Sequence, residues 1–292
     1  MNKTISRLCI LLAGAGWGMT GLFFRHLTAM GFLPMDVVFV KTLFATVIIG
    51  IILLATGPKQ FVVRWKDLWC FLCAGVISML LFNFCYFTAM AHTTVAVAVA
   101  LLYTGPGFVV VISAFLFKEK ITARKLIALI VLFIGCACAA GVFTGKQSIT
   151  ALGMCVGVIA GLTYGLYGVF SRLALNRGYA PNTIAFYAML ICVLGSLPFV
   201  NFSGLSAVFT AEGFLYSGGI SVCSCLLPYL LFTAGMRQTE TGEAAMLATT
   251  EPIVAALISM IVLSEPVSVS VVLGIVLIVG GILFMNIPLG KR

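Results

Sequence analysis

Apolar runs of roughly 20 residues follow one another along the whole chain, and the stretches between them are too short to hold a soluble domain. A helix of that length crosses a hydrocarbon core about 30 Å thick. Within that core each backbone N–H and C=O must find its partner inside the protein, which leaves helices or a closed barrel. The runs predict an all-α integral membrane protein with ten transmembrane helices. Their approximate positions are residues 5–24, 34–56, 67–89, 93–117, 122–142, 150–172, 182–200, 211–235, 242–263 and 268–288. Only 9% of the 292 residues are charged and 62% are hydrophobic, against about a quarter and a half in soluble domains. The start MNKTISR before LCILLAGAGWG has the outline of a secretory leader, but a related segment recurs later in the chain, so it reads as a retained first helix.

A formal charge of +9 is compatible with nucleic acid until the cations are placed. With a cytoplasmic N-terminus, Lys3, Arg7, Lys59, Arg64, Lys66, Lys118, Lys120, Arg124, Lys125, Arg172, Arg177, Arg237, Lys291 and Arg292 fall at inner ends, Arg25 and Lys146 at outer ends, and Lys41 within a span. That distribution, 14 against 2, follows the positive-inside rule. Both termini are expected in the cytoplasm, in a plasma or bacterial inner membrane.

The chain also aligns with itself. AGAGWGMTGLFFRHLTAMGFLPMDVVF (13–39) matches AGLTYGLYGVFSRLALNRGYAPNTIAF (160–186) without gaps, nine of 27 positions being identical. Gly14 pairs with Gly161, Gly18 with Gly165, Gly21 with Gly168, Arg25 with Arg172 and Pro34 with Pro181. Later, TGPGFVVVISAFLFKE matches TEPIVAALISMIVLSE, pairing Pro106 with Pro252, Ser113 with Ser259 and Glu119 with Glu265. The expected organisation is two five-helix halves, 1–145 and 146–292, around a central cavity. Because five is odd, the second half enters the membrane inverted, the usual architecture of alternating-access carriers.

Ten helices in a five-plus-five repeat, the glycine and aromatic pattern of helices one and six, and the P(x12)E pattern of helices four and nine resemble the EamA-type drug/metabolite transporter superfamily. The resemblance covers essentially the whole chain. It implies a secondary carrier of small organic metabolites, often an exporter, with amino acids or related amines as the first substrate class.

Gly14, Gly18 and Gly21, like Gly161, Gly165 and Gly168, share one helical face and are expected to let helices approach closely and to gate the cavity. Trp17 and Tyr164 occupy matching positions beside those faces, as packing residues or as cavity walls. Tyr103 and Thr104 precede Pro106, and Thr249, Thr250 and Glu251 precede Pro252. Each proline frees a carbonyl one turn earlier, a feature tolerated in a membrane where polar groups or water satisfy it. Asn83 and Tyr86 on helix three, and Ser224 and Tyr229 on helix eight, bond either to neighbouring helices or to cargo.

Two charges lie deep. Placing a charge at such depth costs roughly 3 kcal/mol or more, so these groups face the protein interior or a watery path. Lys41 stands where the resemblance implies an arginine and reads as a counter-ion, an interfacial cation or part of charge coupling. Glu251 has no acidic twin, its repeat partner being Gly105, and it reads as the acceptor of a substrate ammonium or a proton, or as half of a buried ion pair. Glu119 and Glu265 sit at helix junctions, where capping is expected.

His26 and His92 lack partners at ligand spacing, the ten cysteines read as thiols, and no GxxxxGK[ST] loop is present, so no metal, cofactor or direct ATP coupling is expected. The expected partners are a small-molecule substrate, lipid and protons, with a monomeric chain. Within the carrier reading facilitated movement in place of active transport, an importer, and a multidrug or nucleoside carrier stay open; a polytopic membrane enzyme and a channel are the readings from other classes.

Overall fold

The computed structural model describes residues 2–142, 150–262 and 268–286, and among them there is helix but no strand. In chain order the main helical segments are α1 (Lys3–Ala29), α2 (Pro34–Thr56), α3 (Trp65–His92), α4 (Val97–Phe117), α5 (Ala123–Ala139), α6 (Ala151–Asn176), α7 (Pro181–Phe199), α8 (Ala211–Gly235), α9 (Thr241–Ile261) and α10 (Val269–Asn286). Eight of these, all but α5 and α10, are long and apolar enough to cross a membrane, and the chain is a multi-pass membrane protein. At 1.5 Å per residue, the 17 residues of α5 reach about 25 Å. Glu265, Lys146, Lys291 and Arg292, and the ends of the last two predicted spans, lie outside the described residues.

Local chemistry sets the helix starts. Thr94, Thr122, Thr150 and Thr210 each accept a backbone N–H three residues on, satisfying an amide the first turn leaves open. Pro34 and Pro181 open α2 and α7 at the first helical turn, where a missing N–H loses nothing. The buried carboxylate of Asp36, which sequence reading passed over, accepts from Leu33 N at 2.9 Å and Asn201 N at 2.8 Å. It fixes the start of α2 to the segment after α7.

Several helices are interrupted where the prolines predict. The helix of α4 breaks at Tyr103 and Thr104, just before Gly105 and Pro106. At the matching place in α9 a 3-10 turn, Ala248–Thr250, precedes Glu251 and Pro252. Wide π-helical turns occupy Cys73–Leu81 in α3 and Val222–Leu226 in α8.

Helices from early and late in the chain pack on one another. Helix α1 packs on α8 and α9, α6 packs on α3 and α4, α2 packs on α7, and α5 packs on α10. Absent side chains permit close crossings at the repeated glycines. A β-carbon on Gly161 would stand 2.6 Å from Thr104 Oγ1 and 2.7 Å from the Leu101 carbonyl, and one on Gly165 2.6 Å from Val109 Cγ2. One on Gly18 would stand 2.5 Å from the Glu251 carbonyl, and Gly14 abuts Ala248 and Thr250. Gly21 and Gly168 correct the expectation. A β-carbon at Gly21 would meet nothing within 4 Å, and one at Gly168 only ordinary contacts at 3.6 Å. Spacing puts all three glycines of each helix on one face, but at the third no neighbour comes closer than ordinary contact.

One end of the bundle is tied by charge. Arg7 Nε meets Glu243 at 2.6 Å with Lys3 behind it at 3.9 Å, and Lys125 pairs with Glu240. Glu119 accepts from the amides of Thr241 at 2.6 Å and Gly242 at 3.0 Å. Its expected capping role is thus carried out across the fold, on the start of α9. Arg172 donates to the Thr239 carbonyl and to Thr241 Oγ1. Beside them Asp67 binds Arg64, Arg177 and the Tyr179 hydroxyl.

Candidate functional site

A cavity of about 480 Å³ is bordered by every main helix except α7. Its deepest wall is aromatic. Trp17 from α1 meets Tyr164 of α6 edge-on at 6.0 Å between ring centres and Tyr229 of α8 at 5.3 Å. Phe82 bridges Tyr86 and Tyr164 from α3. Aromatic rings in such offset contacts hold one another firmly, so the wall is a preformed surface.

Polar groups reach this wall from several helices. The Tyr164 hydroxyl donates to Glu251 Oε2 at 2.8 Å, a charge-assisted contact when the carboxylate is ionised. Glu251 stands at the restart of α9 after the Ala248–Thr250 turn. That interruption aims its carboxylate inward, where Lys41, Asn83, Tyr86, Tyr103 and Ser224 also border the space. Lys41 and Glu251 share the cavity without forming an ion pair, and Glu251 has Tyr164 as its hydrogen-bond partner among the described residues. Ser224 Oγ is buried without a partner, whereas Asn83 returns its amide to the Met79 carbonyl at 2.6 Å.

The cavity extends along the later part of α1 (Thr20, Gly21, Phe24), past Met90 at the end of α3, Val95 before α4 and Ala140 after α5. That direction leads away from the charged ties at the other end. Below the wall, towards those ties, Pro106, Gly165, Tyr167, Gly168, Phe232 and Ala245 leave a void of only about 20 Å³, close to the space of one water.

Most of the residues singled out in the sequence meet at this cavity: Trp17, Lys41, Asn83, Tyr86, Tyr103, Tyr164, Ser224, Tyr229, Glu251, Pro252, Gly18 and Gly21. Thr104, Thr249 and Thr250 do not border it. Their hydroxyls bond to the carbonyls of Leu101 at 2.7 Å, Met246 at 2.6 Å and Leu11 at 3.0 Å, respectively. A helical threonine finds an acceptor one turn back, and the hydroxyls of these three are engaged at the broken turns and a helix crossing, away from the cavity. Pro106 borders only the small void, and Gly14, Gly161 and Gly165 serve the crossings.

Sequence reading missed Phe82, Phe87 and Met90, which complete the apolar wall, and Tyr167. The last is buried, with its ring 4.6 Å from Tyr229 and its hydroxyl 3.1 Å from Thr233 Oγ1. Its place three residues after Tyr164, on the same helical face, was the available signal.

The acidic residues sort by position. Asp36, Asp67, Glu119, Glu240 and Glu243 are committed to helix starts and ion pairs, and Glu212 lies in the exposed first turn of α8. Among the described residues, Glu251 is the one carboxylate on the cavity.

The chain is similar to known proteins. The model of the EamA-like transporter family matches residues 4–141 and again 151–287. An uncharacterized transporter of Archaeoglobus fulgidus is 28% identical over 212 residues, which cover 71% of this chain and 74% of that one. The uncharacterized transporter YxxF of Bacillus subtilis is 26% identical over 286 residues, 96% of this chain and 89% of the relative. A solved crystal structure superposes with a TM-score of 0.78 over 98% of this chain and 97% of its own, at 18% identity, which is a likeness of fold.

Proposed function

The chain belongs to the EamA-like transporter family, and from that premise we propose that it exports small organic metabolites bearing a cationic nitrogen, amino acids or related amines foremost. The observation that carries this reading is the position of Glu251. It is the cavity's lone described carboxylate, held by Tyr164 through one oxygen while the other has no hydrogen-bond partner among the described residues. An ammonium group is the natural complement of such a site. The unpartnered Ser224 hydroxyl and the Lys41 ammonium, across from Glu251 without pairing to it, suit a cargo that also carries an acceptor or a carboxylate. The aromatic wall takes the apolar remainder.

Cargo and proton compete for the same carboxylate, so outward movement of an amine is coupled to inward movement of a proton. The halves 1–145 and 146–292, inverted with respect to each other, rock about the cavity. The matching exchange of helix partners and the matching crossings at Gly14 and Gly161 support that symmetry. With the termini in the cytoplasm of a plasma or bacterial inner membrane, as the cation distribution favours, the cavity faces outward and the charged ties close the inner end.

The test is counterflow in proteoliposomes across a panel of amino acids and amines. Stimulated exchange that is inhibited by protons at low pH and lost in Glu251→Gln is the expected result. Absence of counterflow across the panel overturns the carrier reading, and transport by Glu251→Gln unchanged at every pH removes the role given to that carboxylate.

A further inference from the structure

A second pocket, of about 190 Å³, lies at the charged end, apart from the central cavity, and is bordered by Arg172, Leu175, Asn176, Gly178, Tyr179 and Arg237. Its chemistry is one-sided: two guanidinium groups border it and no carboxylate does. The neighbouring acids are spent elsewhere. Glu119 is held by the amides of Thr241 and Gly242, Glu240 by Lys125, and Asp67 by Arg64, Arg177 and Tyr179.

The two arginines differ in their engagement. Arg172, only partly exposed, uses Nε and Nη2 on Thr241 Oγ1 and the Thr239 carbonyl, leaving Nη1 without a partner among the described residues. The side chain of Arg237 makes no hydrogen bond or ion pair with any described residue. Two arginines that border one recess without an acid offer the paired N–H donors through which arginine binds phosphate oxygens. At about 30 Å³ per water, the recess holds a phosphate group together with a few waters.

We propose that this pocket binds a phosphate-bearing anion through Arg172 and Arg237, at the membrane boundary where a lipid headgroup phosphate and a free phosphate both have access. Basic pockets between helices at such a boundary are suited to anionic headgroups. Through Arg172 the bound anion sits against the 239–241 segment that closes this end of the bundle.

Thermal unfolding of the purified full chain in neutral detergent tests the site, with dioctanoyl phosphatidylglycerol and inorganic phosphate as separate probes. The expected result is a rise in Tm that saturates with probe concentration and weakens in salt. Arg237→Gln, which removes an exposed side chain with no protein partner, should need roughly fivefold more probe; Lys59→Gln, an exposed cation elsewhere, should behave as the parent chain. A rise with the lipid alone identifies a headgroup site, and a rise with both probes identifies a site for phosphate in general. No rise with either probe, or the same concentration dependence in Arg237→Gln, overturns the proposal. Neither result bears on cargo transport.

Discussion

The helix crossing at Gly18 lends itself to a sharp perturbation. In Gly18→Ala the new β-carbon would lie 2.5 Å from the Glu251 carbonyl oxygen, 2.9 Å from Val254 Cβ and 3.1 Å from Ala255 N. Two of these are backbone atoms of α9, so no flexible side chain can swing aside. Ordinary contact begins near 3.4 Å, and the difference between 3.4 and 2.5 Å sets the separation needed at about 0.9 Å. Overpacking of this kind costs about 1–3 kcal/mol, against which alanine recovers at most about 1 kcal/mol of helix propensity. The net loss of roughly 1–2 kcal/mol corresponds to a Tm lower by about 2–8 °C, taking the larger-domain scaling. Because the displaced segment carries Glu251, transport should fall with it. Gly21→Ala is the internal control. One turn further along the same helix its β-carbon meets nothing within 4 Å, so Tm should hold or rise while the cavity narrows by a methyl group. Thermal unfolding in detergent reads both. Equal Tm losses in the two variants would refute the reasoning, since they would show that glycine on this face matters for something other than the α1–α9 crossing.

Other predictions rest on single contacts. Tyr164→Phe keeps the ring against Trp17 but removes the 2.8 Å hydrogen bond to Glu251; a bond to a charged group contributes about 1.5–3 kcal/mol to stability, so Tm measured by thermal unfolding should fall by roughly 3–12 °C. Glu119→Gln leaves one carbonyl oxygen for the two amides of Thr241 and Gly242, and labelling of an Ala245→Cys reporter from the charged end, in a cysteine-free background, should quicken. In Arg7→Gln the buried Glu243 keeps only the distant Lys3, so the same reporter should label faster, and restoring the charge with Arg7→Lys should slow it again.

The periodic features were readable from sequence because they are properties of one strand of chain. Apolar run length marked the eight helices long and apolar enough to cross a membrane, and the repeat of Gly14, Gly18, Gly161 and Gly165 marked close helix crossings. Depth within a span marked Trp17, Tyr164 and Glu251, which the structure gathers at one cavity. What depends on a partner elsewhere in the fold was not readable. Gly21 and Gly168 share a face with the packing glycines, but whether another helix passes there is set by crossing angle. Glu119 finds its amides 122 and 123 residues away, which no local pattern announces. The three threonines misled for the opposite reason. Near a proline they looked available for cargo, but a carbonyl one turn back, or across the α1–α9 contact, already engages each.

The position of Trp17 makes the protein its own optical sensor. The chain has three tryptophans. Trp65 is 86% exposed and Trp69 lies under Arg177, both at the start of α3, at the charged end. Trp17 alone stands on the central cavity, its indole enclosed by Tyr164, Tyr229 and Phe232. Indole emission responds to the polarity and quenching groups at its surface, so a chain with Trp65 and Trp69 replaced by phenylalanine reports occupancy of the cavity as a change in colour or intensity. Cargo can then be sought by unlabelled titration, before anything about its direction of travel is known.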